Sequence, residues 1–384
     1  MTDHSASSFI AGLSARLATR MRHICVFLGA GSSRPAGLPD MNGLSSAVST
    51  TLREPDRATF EAMVGDHGLE GTLTRLRRIA ALVEGDDEIQ GVSGTQADRL
   101  DAAICSAIVS ALSAIPANTR AADDFAAWIA RANYSRPVEV FTVNYDLMIE
   151  TALDKIGAPY FDGFIGMQRA RFRSDLIEAR ETDENYIPAF FARVWKMHGS
   201  LNWEASATGV VRLGSTVRAG RSAAIYPSDA KYHESRRMPF VVLQDRFRRA
   251  LYENETLALV AGYSWGDEHL NEYLFDAASR RQRSEVIAFS HGELPVELVD
   301  FARRTPNLQL IGSTEAVIGG VRGRWQEPED TQLPSDVWAD QKLKLGDFAS
   351  LASFLARASG ASSPDQTEVA AAPNREAGAA DGGA

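Results

Sequence analysis

The chain has two cysteines among 384 residues, Cys25 and Cys105. Two thiols cannot build a four-cysteine zinc site or a disulfide framework. Cys25 falls in an apolar run and Cys105 in an alanine-rich helical stretch, so both read as small buried hydrophobes. Long apolar runs are also missing: none approaches the ~20 residues of a membrane span. The N-terminus lacks the apolar core of a secretory leader. The expectation is a cytoplasmic protein with no membrane contact. Positive charge is in deficit, 40 Lys and Arg against 50 Asp and Glu, for a formal net charge of −10. That balance argues against direct binding of nucleic acid, because neutralising phosphates takes a cationic surface. The local cluster Arg246, Arg248 and Arg249 could still make a basic patch, but on a long helix it reads rather as a solvated face.

What is present is an ordinary globular composition, 45% hydrophobic and 23% charged, on a chain long enough to bury a large core. Phe9, Ile10, Leu13, Leu17 and Met21 recur at helical spacing, predicting an N-terminal helix within residues 1–21. The run Ile24 to Leu28 is a buried strand that ends in glycine. Residues 45–133 read as a helical insertion without strands. One stripe is Leu69, Leu73, Leu76 and Ile79, the other Leu100, Ile104, Ile108 and Leu112, with a loop over 84–96 between them.

Strands resume at Val138–Thr142, Arg193–Met197, Thr256–Ala261, Glu285–Phe289 and, as the last, Leu308–Ile311. Helices follow at Leu147–Ile156 and Pro239–Glu253. The chain on either side of the second of these strands reads as loop-rich. Before it lie Gly163, Gly166 and the arginines Arg169, Arg171 and Arg173; after it residues 205–232 are irregular, with short strand candidates at Val210–Leu213 and Ala224–Tyr226. Alternation of strands and helices predicts an α/β fold, a Rossmann-like doubly wound parallel sheet built from residues 22–44 and 134–345. A helix end at 346–359 and a disordered tail at 360–384, rich in Ala, Gly, Ser and Pro, complete the chain.

Ligands of open parallel sheets bind beyond the carboxyl ends of the strands. Four strands deliver small or polar residues there. After the first come Gly29, Ala30, Gly31, Ser32, Ser33, Gly37, Pro39 and Asp40, where small residues let main-chain N–H groups approach a pyrophosphate. The others bring Thr142, Asn144 and Asp146; His198; and Gly262, Ser264 and Asp267. Gly37 lies too far downstream for the dinucleotide fingerprint G-x-G-x-x-G.

The stretch Gly29–Asp40 resembles the sirtuin cofactor loop GAGxSxxxGxPD in spacing. Thr142-Val-Asn144-Tyr-Asp146 is similar to the sirtuin T-x-N-x-D, His198-Gly199 to its catalytic His-Gly, and Gly262-Tyr-Ser264 to its later Gly-x-Ser. The four motifs occur in family order over about residues 22–320. Sirtuin deacetylases also carry a zinc ribbon of four cysteines, which this chain cannot form, and Met41-Asn42 replaces their Phe-Arg. The Asn144-Tyr-Asp146 form, Lys196-Met-His198-Gly-Ser200-Leu-Asn-Trp203 and Gly262-Tyr-Ser-Trp-Gly-Asp267 resemble the sirtuin-like NAD hydrolases of bacterial anti-phage defence.

That resemblance implies a zinc-free NAD⁺ nucleosidase that depletes NAD⁺ in abortive infection. It implies a homo-oligomer, beside a HerA-type ATPase or another phage-sensing protein. On this reading Ala30, Gly31, Ser32 and Ser33 donate to the phosphates, and Asn144 binds the ribose hydroxyls and helps place a water. Asp146 orients Asn144 or meets the carboxamide, and His198 is the general base, histidine being the side chain that exchanges a proton near neutral pH. Ser264 and Asp267 either contact the adenosine side or cap a helix. Two alternatives stay open: a zinc-free protein deacylase or ADP-ribosyltransferase, and a non-catalytic sensor of NAD⁺ or ADP-ribose.

Overall fold

The computed structural model describes residues 2–83, 87–113, 116–179, 182–184, 186–206, 209–217, 223–225, 238–280, 283–328 and 333–358. Ten strands form the main sheet: β1 Thr2–Ser5, β2 His23–Leu28, β3 Glu139–Thr142, β4 Tyr160–Phe161, β5 Ala192–Lys196, β6 Thr256–Ala261, β7 Glu285–Phe289, β8 Leu308–Ile311, β9 Glu315–Ile318 and β10 Val321–Gln326. Their order across the sheet is β1-β10-β9-β8-β7-β6-β2-β3-β5-β4. From β8 to β4 every neighbouring pair is parallel, whereas β9 runs antiparallel to β8 and β10.

The six strands β5-β3-β2-β6-β7-β8 follow the order 3-2-1-4-5-6 of a doubly wound dinucleotide fold. Their direction of growth reverses between β2 and β6. Every residue of those two strands is buried, because helices cover both faces and an alternating polar pattern would leave polar side chains in the core. Phe9, Leu13, Phe125, Trp128, Leu153 and Leu355 pack on one face. The helices Phe240–Tyr252, Glu268–Arg280 and Val296–Arg304 cover the other with Phe247, Leu274 and Val299. None of the helices among the described residues is long and apolar enough to cross a membrane.

The sheet is Rossmann-like, as the alternation predicts, and five local expectations are corrected. The N-terminal helix covers Ala6–Ala18 and leaves Met21 outside it at 69% exposure; β1, which precedes the helix, pairs with β10. Residues 45–133 do not act as one insertion. The helices Met41–Thr51, Asp56–Leu82 and Gly94–Leu112 share a separate core around Val48, Leu73, Leu76 and Ile104. The helix Arg120–Arg131 instead joins the main core, where Phe125 meets Phe348 of the helix Phe348–Ala358, ring centroids 5.5 Å apart. The 84–96 loop holds a two-residue hairpin, Glu88–Ile89 with Val92–Ser93.

The loop-rich stretch forms a second, antiparallel sheet. Its strands are Phe164–Ile165, Arg169–Phe172, Gly199–Ser206, Gly209–Leu213 and Ala223–Ile225. Gly209–Leu213 and Ala223–Ile225 fall on the two strand candidates, and all five are held by pairing with one another. Finally, Leu308–Ile311 is followed by the hairpin β9–β10, which turns through Gly319 and Gly320 at positive φ. Tyr226, at the end of one strand candidate, and the tail 360–384 lie outside the described residues.

Candidate functional site

The loops after β2 and β6 touch main chain to main chain at the point where the sheet reverses. Gly29 N–H donates to Ala261 O at 3.0 Å, and Gly31 N–H to Gly262 O at 2.9 Å. A Cβ on Gly29 would lie 2.6 Å from Tyr263 Cα, and one on Gly31 2.7 Å from Gly262 Cα. Gly262 has φ +64°, and a Cβ there would collide with Ser32 N. These glycines therefore serve close packing of two loops. The N–H groups of Gly29, Gly31 and Ser32 are committed within the protein, the last to Gly29 O at 2.9 Å, which removes Gly31 and Ser32 N–H from the expected set of phosphate donors.

Gly262→Ala is expected to lower stability by about 1–3 kcal/mol from backbone strain alone, with loss of ligand binding as the loops part. Urea unfolding and calorimetry read the two effects. A wild-type midpoint would show that this contact does not tie the loops together.

Residues 30–36 form a 3₁₀ helix ended by Gly37 at φ +82°, and Asp40 caps the helix Met41–Thr51 by accepting from Gly43 N–H at 3.0 Å. Asp40 and Pro39 line the cleft but have these local structural duties as well. Arg34 is 60% exposed on its side chain and 4.0 Å from Asp40.

Asn144 stands at the centre of a chain of hydrogen bonds. Its Nδ2 faces Gly29 O at 3.0 Å, Ser32 Oγ at 2.9 Å and Ser33 Oγ at 3.0 Å. Ser33 Oγ in turn donates to Asp146 Oδ2 at 2.7 Å. Asp146 thus orients Asn144 through Ser33, one of the two roles expected of it, and its other oxygen accepts from Met148 N–H at 3.0 Å. Thr142 works on the main chain: its hydroxyl donates to Leu28 O and accepts from Asn144 N–H, each at 3.0 Å. Asn144 Oδ1 is buried and has no partner.

Lys196, 2% exposed at the end of β5, donates to Asp146 O and pairs with Glu150 at 3.3 Å. Burial raises the Glu150 carboxyl above its ordinary range, opposed by the Lys196 charge. Of the two only Lys196 was legible, as part of a motif context; its contact with Asp146 depends on β3 and β5 lying side by side.

His198 follows β5, and its Nε2 lies 3.2 Å from Asp267 Oδ2. Burial alone would raise the Asp267 carboxyl, but the His198 hydrogen bond and charge and the N–H groups of Leu270 and His269 hold it below its ordinary value. An ionised Asp267 accepts, so Nε2 is assigned as the donor. His198 Nδ1 then becomes the acceptor of the neutral ring, and it is buried without a partner. Asp267 is therefore the carboxylate that engages the histidine. It also caps the helix Glu268–Arg280, accepting from His269 N–H at 3.0 Å. Ser264 is exposed on the cleft wall.

Gly31, Ser33, Asp40, Asn144, Asp146, His198, Gly262, Ser264 and Asp267 line one cleft of about 560 Å³, while Ser32, Thr142, Glu150 and Lys196 join Ser33, Asn144 and Asp146 around a small chamber of about 10 Å³. The three-helix unit supplies a cleft wall with Glu70 and Leu112, which sequence reasoning did not place there. The loop after β7 adds Ser290, His291 and Glu293. Trp265 sits at φ +62°, unusual for a bulky residue. It is held there by Asn271 Nδ2 donating to its carbonyl at 2.8 Å and by stacking on Phe275. Among the described residues no group of three or more His, Cys, Asp or Glu could hold a metal ion.

The reversal point, the glycine contact and two unpartnered polar atoms in one cleft suit an extended dinucleotide. Comparison with curated proteins finds no match. A family model does match, and its span, from the first residues of β3 through the helix Val296–Arg304, carries Asn144, Asp146, His198, Gly262 and Asp267 but not the loop 29–40. Over residues 138–305 this chain is similar to the SIR2-like domain.

Proposed function

We propose that the chain hydrolyses NAD⁺ to nicotinamide and ADP-ribose, and that this depletes NAD⁺ in anti-phage defence. The observation that supports this best is the pair of unpartnered atoms, Asn144 Oδ1 and His198 Nδ1, on residues that line one cleft at the reversal of the sheet. Pure binding has no use for a histidine whose one nitrogen is engaged by a carboxylate while the other is left as an acceptor.

In the reaction, water oxygen bonds to ribose C1′, and the C1′–N bond breaks with its electron pair leaving on nicotinamide. The proton lost by water passes to His198 Nδ1. Asn144 positions the ribose and the water, held by Ser33 and Asp146 behind it. Asp267 keeps the imidazole oriented and supports the positive charge it acquires. Asp40, Glu70, Asp146, Asp267 and Glu293 line the cleft against the single arginine Arg34. A carboxylate-rich wall stabilises positive charge developing at C1′. The pyrophosphate then rests on main-chain donors of the 30–33 turn that the loop contact leaves available.

The same resemblance supports a homo-oligomer working beside a HerA-type ATPase or another phage-sensing protein. Incubating the full chain with NAD⁺, with and without the product of its neighbouring gene, tests the reading. Nicotinamide and free ADP-ribose in equal amounts are expected. Acetylated or protein-linked ADP-ribose would assign it to acyl removal or ADP-ribosyl transfer, and tight binding without turnover in both conditions would make it a sensor.

A further inference from the structure

A second cleft opens at the opposite edge of the sheet, where the strands begin. It has a volume of about 1360 Å³, and the described residues lining it include six arginines against three glutamates. That surplus stands out in a chain whose formal net charge is −10.

Two of the six are paired, Arg136 with Glu253 at 3.2 Å and Arg280 with Asp276, so the surplus lies with the other four. Glu139, the fully buried first residue of β3, accepts from His23 Nε2 at 2.9 Å, Trp195 Nε1 at 2.8 Å and the Arg246 guanidinium, with Nε at 2.8 Å. Those bonds and the Arg246 charge outweigh burial and hold its carboxyl far below the ordinary range, so it is ionised. Its acceptor sites are filled by these donors. Arg193, 6% exposed, consequently has no carboxylate within ion-pair distance among the described residues; it is held by the carbonyls of Ile187 at 2.5 Å, Phe191 at 3.0 Å and Pro188 at 3.4 Å. Burial lowers its pKa, with the Glu139 charge acting in opposition. One buried carboxylate thus stands between two guanidiniums. At the rim Arg248 and Arg249 share one carboxylate, Asp245, at 2.9 and 2.5 Å.

Uncompensated buried cations are costly, and they persist where something of opposite charge completes them. A group with two or more negative charges matches this surplus, and guanidinium forks bind phosphate oxygens in pairs. The Arg248 guanidinium already lies over the Tyr252 ring, 5.9 Å from its centroid, which keeps the fork at the rim beside an aromatic face. We propose that this cleft is a binding site for a small phosphorylated ligand, separate from the one at the carboxyl ends of the strands. Arg193 and Arg246 form its floor, and Arg248 and Arg249 its rim. A ligand there touches the amino ends of β3 and β5, the two strands whose other ends carry Asn144 and His198.

The test is calorimetry on the full chain with inorganic pyrophosphate, ADP and adenosine, at fixed salt. Pyrophosphate and ADP are expected to bind and adenosine not. ADP matching pyrophosphate would identify the phosphates as the whole recognition element, and ADP binding more tightly would identify a nucleotide. The double variant Arg248→Glu, Arg249→Glu, which alters exposed side chains only, is expected to weaken pyrophosphate binding by about tenfold or more, and Arg193→Gln likewise. NAD⁺ affinity should remain as in wild type in both variants. Absence of pyrophosphate binding at millimolar concentration, unchanged binding in the rim variant, or displacement of pyrophosphate by NAD⁺ would overturn the proposal. So would binding of a short single-stranded DNA in its place, which would make the cleft a polyanion surface.

Discussion

Asn144→Ala is expected to reduce NAD⁺ loss by about 10²–10³-fold, the range for removing one preorganised hydrogen-bonding group from a reacting centre. The protein is expected to fold with its sheet unchanged. Asn144 is only half buried, and its removal frees two seryl hydroxyls that keep Gly29 O and Asp146 as partners. The loss should appear mainly in kcat, because the pyrophosphate contacts lie on the neighbouring turn and are unaffected. Nicotinamide release by chromatography and circular dichroism on the same sample read the two halves of this expectation. Wild-type turnover in the alanine protein would remove Asn144 from the mechanism.

His198→Ala is expected to cost more, about 10²–10⁴-fold in turnover, as removal of a general base does. Affinity for NAD⁺ should change little, since the imidazole acts on the water. Its carboxylate partner gives a second readout. Asp267 is held below the ordinary carboxylate range chiefly by His198, against the opposing effect of burial. The stability it lends the fold is therefore present above the unfolded-state value of about 4 and lost as pH falls through the lower folded-state value. Urea unfolding of wild type and Asp267→Asn should differ at pH 7 and converge toward pH 3. In the His198→Ala background the pH dependence contributed by Asp267 should shrink. Turnover of His198→Ala equal to wild type would assign proton transfer elsewhere.

Much of the strand framework could be read from the chain because the signals are local. Runs such as Ile24–Leu28 and Leu257–Ala261 are apolar throughout, and only a strand covered on both faces accommodates that. The glycines at 29, 31 and 262 mark places where a side chain is excluded, and the structure shows each excluded by the other loop. The second sheet was legible only in part: the strand candidates at 210–213 and 224–226 fall on two of its strands, but Phe164–Ile165 is too short to show a period. The helix Arg120–Arg131 carries the same amphipathic signal as its predecessors, and nothing in that signal says which core it enters.

The residue types at the site were determined by sequence: small residues after the first strand, then Asn144, Asp146, His198 and Asp267 in order beyond later ones. Their partnerships were decided by the fold alone. Ser33 meets Asp146 across 113 residues, and His198 meets Asp267 across 69. Lys196 reaches Asp146 because β5 lies beside β3. Arg193 is left without a carboxylate because Glu139 is already filled by donors from two other strands and a helix. Spacing along a chain records turns and periodicity within one element, whereas the charge and hydrogen-bond balance of a site depends on which elements the crossovers bring together.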